Sequence, residues 1–288
     1  MKFIKVNENM VGRRLDRVVQ KLNPSLPMSM IFKLIRKKAI RVNGKRTEPN
    51  YLILSDDLIQ YPTFSQEKVK DKPMYKPGYQ LDILYEDDAI IVIDKPSGLA
   101  SQGGTNIRFN AIAELEAKLK SSIYPIHRLD QGTSGCMLFA KHASSARMMA
   151  EQFHDRQVEK TYLAGIYSTV YLQLPLTIDN AYFTQKEIND PFDIEARTTI
   201  LEQSRFEQTS LLKVLPQTGR KHQIRIHLAA LGTPIIGDRQ YGLQASKRQR
   251  LMLHAQSLFI HVNQKPILIQ SRLTEDFVSD LKALDKIK

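Results

Sequence analysis

The chain has 288 residues, 42% of them hydrophobic and 25% charged, enough apolar content for one large domain beside a small one; a fibre or a disordered chain is excluded. A formal net charge of +12 calls for a polyanionic partner. The single cysteine, Cys136, excludes an intrachain disulfide and a cysteine-based zinc site, and with no apolar run of the roughly 18 residues that a membrane span needs and no secretory-type apolar stretch in "MKFIKVNENM", the expectation is a cytoplasmic protein with no membrane partner.

Residues 1–62 hold 13 Lys and Arg against 5 Asp and Glu, so most of the positive excess sits in the first fifth of the chain. There Leu15, Val18, Val19 and Leu22 fall at i, i+3, i+4 and i+7, one helix face. A second short helix turns Ile31, Leu34 and Ile35 inward and leaves Lys33, Arg36, Lys37 and Lys38 mostly on other faces. Asn43-Gly44, between Ile40/Val42 and Lys45/Arg46, predicts a hairpin. Such charge is ordinarily a solvated helix face, but its segregation into one module favours phosphate contact by Lys33, Arg36, Lys37, Lys38 and Arg41. Residues 63–80 lose apolar periodicity and contain Pro73, Pro77 and Gly78, as a linker does, which sets domains at 1–62 and 81–288.

Beyond the linker, Leu81–Tyr85 and Ala89–Ile93 read as strands around the acidic turn Glu86-Asp87-Asp88, stopped at Pro96-Ser97-Gly98. Helices are expected from about 111 to 120 and 144 to 154, and strands at 161–167, 198–202 and 211–215. Unevenly spaced strands mixed with single helices predict an α+β domain with a mixed, largely antiparallel sheet. In "IHRLDQGTSGCMLFAK", Asp130 precedes the small-residue turn Gly132–Gly135 and a buried-strand run; it is either a turn-former or a reactive carboxylate. Tyr162 lies in an apolar strand, where core packing is its plain role. In "LPQTGRKHQIRIHLAALGTPIIGDRQYG", Ile224, Leu228 and Leu231 mark a helix stopped by Gly232 and Pro234. Arg220, Lys221, His222, Arg225 and His227 cluster around its start, a pattern suited to phosphate. The two histidines lack the spacing and the glutamate of a zinc helix, and no nucleotide-binding glycine pattern occurs, so neither metal nor nucleotide cofactor is expected.

"HRLDQGTSGCMLFAK", "KTYLA", "ARTTI", "TGRKHQIRIHLAALGTPIIGDRQYG" and "RLMLHA" together resemble the RluA family of pseudouridine synthases, from about Leu81 to the C-terminal region. Residues 12–62 resemble an S4 RNA-binding domain, a small α/β module, and "SMIFKLIRKKAIRVNGKR" and "SQGGTNIRF" resemble the RluC-like branch. Glu195, Lys221 and "HVNQKP" depart from the family's usual residues. The resemblance implies isomerisation of uridine to pseudouridine in RNA, with large-subunit (23S) ribosomal RNA as partner, by a monomer without cofactor. It implies Asp130 as the reacting carboxylate, Arg225 as its ion-pair partner, Tyr162 against the base, and Leu253 as an apolar pocket wall. Arg128 would fill the gap left by a flipped base, Arg220 and Lys221 would contact RNA, and His127 would be structural. Two other readings stay open. One is a catalytically inactive S4-type RNA-binding or ribosome-assembly protein; the other is a glycosidase in which Asp238 joins Asp130 as the second carboxylate.

Overall fold

The computed structural model describes residues 1–23, 26, 28–62, 78–104, 107, 109–167, 171–179, 195–242 and 249–285. The predicted linker's residues 63–77 lie outside the described ones. The chain divides into two compact units, Met1–Met74 and Tyr75–Lys288.

The first unit contains β1 (Lys2–Lys5), α1 (Leu15–Leu22), α2 (Met28–Arg36), β2 (Arg41–Val42) and β3 (Leu58–Tyr61). The strands form an antiparallel sheet in the order β1-β3-β2. Leu15, Val18 and Val19 of α1 and Ile31 and Ile35 of α2 are buried with Ile40, Ile53 and Ile59, as the helical spacing requires. Burying each such side chain contributes about 1.5–3 kcal/mol. Lys33, Arg36, Lys37, Lys38 and Arg41 are all exposed. The predicted hairpin is only half present. Asn43 and Gly44 turn with φ of 52° and 73°, but the second arm shrinks to a single bridge, Val42 to Lys45. The reason is competition from β3: Asn43 N–H donates to Leu58 O at 2.9 Å, and Leu58 N–H donates to Asn43 Oδ1 at 2.8 Å, drawing β2 onto β3 instead.

The second unit contains β4 (Asp82–Glu86), β5 (Ile90–Lys95), α3 (Ala111–Leu119), β6 (Tyr124–Pro125), β7 (Ser134–Ala140), α4 (Ala143–His154) and β8 (Glu159–Tyr167). It continues with β9 (Leu176–Ile178), β10 (Thr198–Arg205), β11 (Thr209–Pro216), α5 (Gln223–Ala230), β12 (Leu253–Val262), β13 (Lys265–Gln270) and α6 (Glu275–Asp285). The sheet runs β4-β5-β7-β12-β8-β11-β10-β9, with β6 beside β7 and β13 beside β12. Its described pairings are antiparallel except β7 with β12, where Ser134 lies opposite His254 and Gly135 opposite Ala255. This is the mixed, largely antiparallel α+β architecture expected. β7 is buried at every residue, which explains its unbroken apolar run.

Two local features place the site. Gly135 has φ +106°, and a Cβ there would come within 2.2 Å of Ala255 O, so only glycine lets β12 close on β7. The predicted turn is therefore shorter than Gly132–Gly135: Ser134 and Gly135 already belong to β7, and the turn closes through Thr133 N–H to Asp130 O at 3.0 Å. The α5 helix ends as expected, with Gly232 at φ +75°.

Candidate active site

Asp130 sits at the turn entering β7, Tyr162 lies on β8 opposite Ala255, and Leu253 opens β12, so the crossing of these three strands gathers residues far apart in sequence. They line a cavity of about 320 Å³ with His127, Arg128, Phe153, Lys160, Arg220, His222 and Arg225. Arg128 is exposed at this cavity and also lines the groove beyond Asp130. Lys221 does not line the cavity; it is exposed on the turn before α5. The cations of α2 belong to the other unit.

Arg225 is the centre of the charge arrangement. Its Nη1 donates to Asp130 Oδ2 at 3.1 Å, while Nε and Nη2 donate to Asp238 Oδ2 and Oδ1 at 2.7 and 2.8 Å. Asp238 also accepts from the backbone N–H groups of Gln240 and Tyr241 at 3.0 and 3.1 Å. Burial opposes its charge, but Arg225 and those N–H groups hold the Asp238 carboxyl below the usual range. The glycosidase reading fails here: both oxygens of Asp238, the carboxylate it needs, are committed to Arg225. Asp130 keeps a partly exposed side chain, at 21%, so a substrate can reach it.

The hydroxyl of Tyr162 stays protonated. Burial, reinforced by Asp130 and Cys136, pushes its pKa well above the ordinary phenol value. His127 is structural: Nε2 accepts from Leu138 N–H at 3.0 Å, and the ring stacks on Phe153 with centroids 5.4 Å apart. Burial, reinforced by Lys160, lowers its pKa to about 3, so it is neutral at physiological pH.

Residues 89–230 match the family described as RNA pseudouridylate synthase, and residues 13–59 match the S4 domain. A protein of Vibrio parahaemolyticus named ribosomal large subunit pseudouridine synthase C is 33% identical over 91% of this chain and 86% of its own length. The chain belongs to the RNA pseudouridylate synthase family. A Vibrio cholerae protein of the same name is 32% identical over 95% of this chain and 93% of its own. Among solved structures, human RNA pseudouridylate synthase domain containing 4 superposes with a TM-score of 0.58 at 26% identity, covering 70% of this chain and 92% of that one.

Within this RNA pseudouridine synthase, sequence reasoning missed a lysine. Lys95 is fully buried, and its Nζ donates to Leu99 O at 2.7 Å, Pro96 O at 3.0 Å and Gln131 O at 3.3 Å. It ties the turn after β5 to the residue that follows Asp130, and Ser97 Oγ adds a bond to Gly132 O at 2.7 Å. Burial and Arg250 lower the Lys95 pKa to about 7, against the pull of Asp130 and Asp94. The available signal was a charged pair, Asp94-Lys95, closing an apolar strand and followed by Pro96 and Gly98.

Among the described residues no group of three His, Cys, Asp or Glu is arranged to hold a metal ion. No helix among them is long and apolar enough to cross a membrane.

Proposed function

We propose that this protein isomerises specific uridines of large-subunit (23S) ribosomal RNA to pseudouridine, as a cytoplasmic monomer and without a metal or other cofactor. The observation that carries the reading is the Asp130–Arg225 pair at 3.1 Å on the edge of a cavity with room for a base. The reaction breaks N1–C1′, turns the uracil and joins C5 to C1′. The proton leaving C5 is balanced by one gained at N1, so composition and oxidation state are unchanged. One reactive carboxylate can act at the sugar, with a fixed cation to orient it.

The roles follow from position. Asp130 acts at the ribose of the bound nucleotide, and Arg225, anchored from behind by Asp238, holds it. Tyr162 lies against the uracil and Leu253 closes the pocket's apolar side. The base reaches them only after leaving the stack, and Arg128 occupies the gap. Arg220 meets the backbone beside the pocket, with Lys221 next to it. Residues 1–62 serve as the RNA-binding domain, with Lys33, Arg36, Lys37, Lys38 and Arg41 on phosphates; 63–80 link it to the catalytic domain, 81–288. The relatives named for the ribosomal large subunit support that choice of substrate.

The test is to map pseudouridines in large-subunit RNA from cells with and without the gene, then restore them with purified protein on the transcribed RNA. Loss of defined sites, restored with unchanged RNA mass, is the expected result. An unchanged map, or release of free uracil, overturns the reading.

A further inference from the structure

The "GDRQYG" segment, Gly237 to Gly242, reaches Asp130 from two directions. On one side Asp238 holds Arg225, whose remaining Nη1 meets Asp130 Oδ2 at 3.1 Å. On the other, Tyr241 Oη is 3.0 Å from His222 Nδ1, and His222 Nε2 lies 3.6 Å from Asp130 Oδ1. Each oxygen of Asp130 thus faces a different arm of one turn. The arms are also joined to each other: Asp238 Oδ1 accepts from Tyr241 N–H at 3.1 Å, and the Arg225 guanidinium lies over the Tyr241 ring, 5.1 Å from its centroid.

We propose that residues 238–241 form a two-armed clamp in which Tyr241, acting through His222, is a positioning residue for Asp130. This rests on the reading of Asp130 as the reacting carboxylate. The direction of the hydrogen bonds supports it. Gln240 Nε2 donates to Tyr241 Oη at 3.0 Å, and the same oxygen lies 3.0 Å from His222 Nδ1, a geometry in which the hydroxyl can donate to the ring nitrogen. The imidazole then carries its own proton on Nε2, aimed at Asp130 Oδ1. At 3.6 Å this contact is longer than a hydrogen bond, as catalytic contacts often are before substrate binds. The backbone agrees: His222 caps the start of α5 with φ 57° and ψ 18°, a left-handed conformation that a non-glycine residue keeps only when its surroundings fix it.

The charge state matters to the role. Asp130, Arg225, Lys221 and Asp238 act on His222, and Tyr241 bonds to it. Burial lowers its pKa; Asp130 and Asp238 oppose the shift, and Arg225 and Lys221 reinforce it. A neutral imidazole orients Asp130 without cancelling its charge, whereas an imidazolium would add a second cation beside it and quench the carboxylate.

The experiment measures pseudouridine formation by the full chain on transcribed large-subunit RNA, between about pH 5 and 9, with thermal unfolding on the same preparations. Tyr241→Phe keeps the ring under Arg225 and removes only the hydroxyl. It should lower the rate at saturating RNA by about tenfold, because small misplacements of a reacting group are costly, and leave the half-saturating RNA concentration unchanged. His222→Gln should move the acid limb of the rate profile to lower pH, since the imidazole that titrates beside Asp130 is gone. A wild-type rate for folded Tyr241→Phe, or an acid limb for His222→Gln that superimposes on wild type, overturns the clamp. Asp130→Asn separates the two ideas: if it turns over, the reading of Asp130 fails, and if it is inactive while both clamp variants behave as wild type, only the clamp fails.

Discussion

In the first unit Lys33, Arg36, Lys37 and Lys38 stand exposed on and just after α2, and no carboxylate among the described residues pairs with them. In the second unit the important basic groups are buried or nearly so and committed: Arg225 to two carboxylates, Lys95 to three carbonyls. Water and salt screen the first kind, so each exposed cation contributes a small, additive share to attracting a polyanion. The second kind lies in a medium where an unmet charge is expensive, so each one fixes the geometry of its partners. One unit uses charge as a field, the other as a scaffold. A substitution in the scaffold should be severe and specific, and one in the field mild and salt-dependent.

Asp130→Asn puts the strongest pressure on that contrast. The amide can still shape the turn, because the bond that closes it uses the Asp130 backbone carbonyl. It can neither attack nor take a proton, and it no longer neutralises Arg225. Pseudouridine formation should fall below detection while unfolding temperature and RNA affinity stay near wild type. Substantial turnover would mean that the carboxylate only shapes the turn.

Asp238→Ala tests the scaffold itself. Asp238 is 1% exposed and supplies two of the three side-chain bonds to Arg225, so removing it leaves a nearly buried cation with one of those three. Breaking a buried pair in this way costs about 3–5 kcal/mol of stability. Chemical denaturation should show that loss, and activity should drop at least a hundredfold as Arg225 swings away from Asp130. A loss below about 1 kcal/mol, the range of exposed pairs, would dissolve the distinction between the two units.

Buried groups also make the second unit sensitive to acid. The His127 pKa is about 3 in the folded protein, against about 6.5 in an unfolded chain. As pH falls below 6.5 the unfolded state takes up a proton that the folded state refuses, so the stabilisation present above that value is lost between about pH 6.5 and 3. His254, with a pKa near 4 set mainly by burial, adds to the same slope. By pH 4 His127 alone should account for a fall in stability on the order of 3 kcal/mol. Denaturation of wild type and His127→Gln across this range checks it: the variant should show a shallower decline, and parallel curves would refute the assignment.

Much of this contrast was legible in the sequence, for definable reasons. Helical spacing in α1 and α2 follows directly from burial of one face, and the stop at Gly232 follows from its left-handed backbone. Short-range patterns did less well where a distant strand competed. Asn43-Gly44 makes its turn, but β3 takes the hairpin's second partner. The small residues after Asp130 looked like one turn because nothing local shows that Gly135 meets Ala255, 120 residues away. The site residues Asp130, Tyr162, Arg225 and Leu253 were named through family resemblance, and they do gather round one cavity. Lys95 and Asp238 escaped or were misread because their partners are backbone carbonyls and a shared arginine, which no periodicity encodes.

The mildest effect belongs to α2. Replacing Lys33, Lys37 and Lys38 together with Gln removes three exposed charges and leaves the core intact, since the buried face of α2 is Ile31 and Ile35. Stability should change by less than about 0.5 kcal/mol. RNA affinity should fall modestly at low salt, and the slope of log affinity against log salt should flatten by roughly 0.7–0.9 for each phosphate that is no longer neutralised, about 2–3 in all. The rate at saturating RNA should be unaltered, because Asp130 and the groups that hold it all belong to the second unit. Binding titrations at four or five salt concentrations, with single-turnover rates at the lowest, distinguish the outcomes. An unchanged slope would make these lysines solvated bystanders. A changed saturating rate would show that the field of the first unit acts on the chemistry as well as on capture, and the division of labour between exposed and buried charge would have to be redrawn.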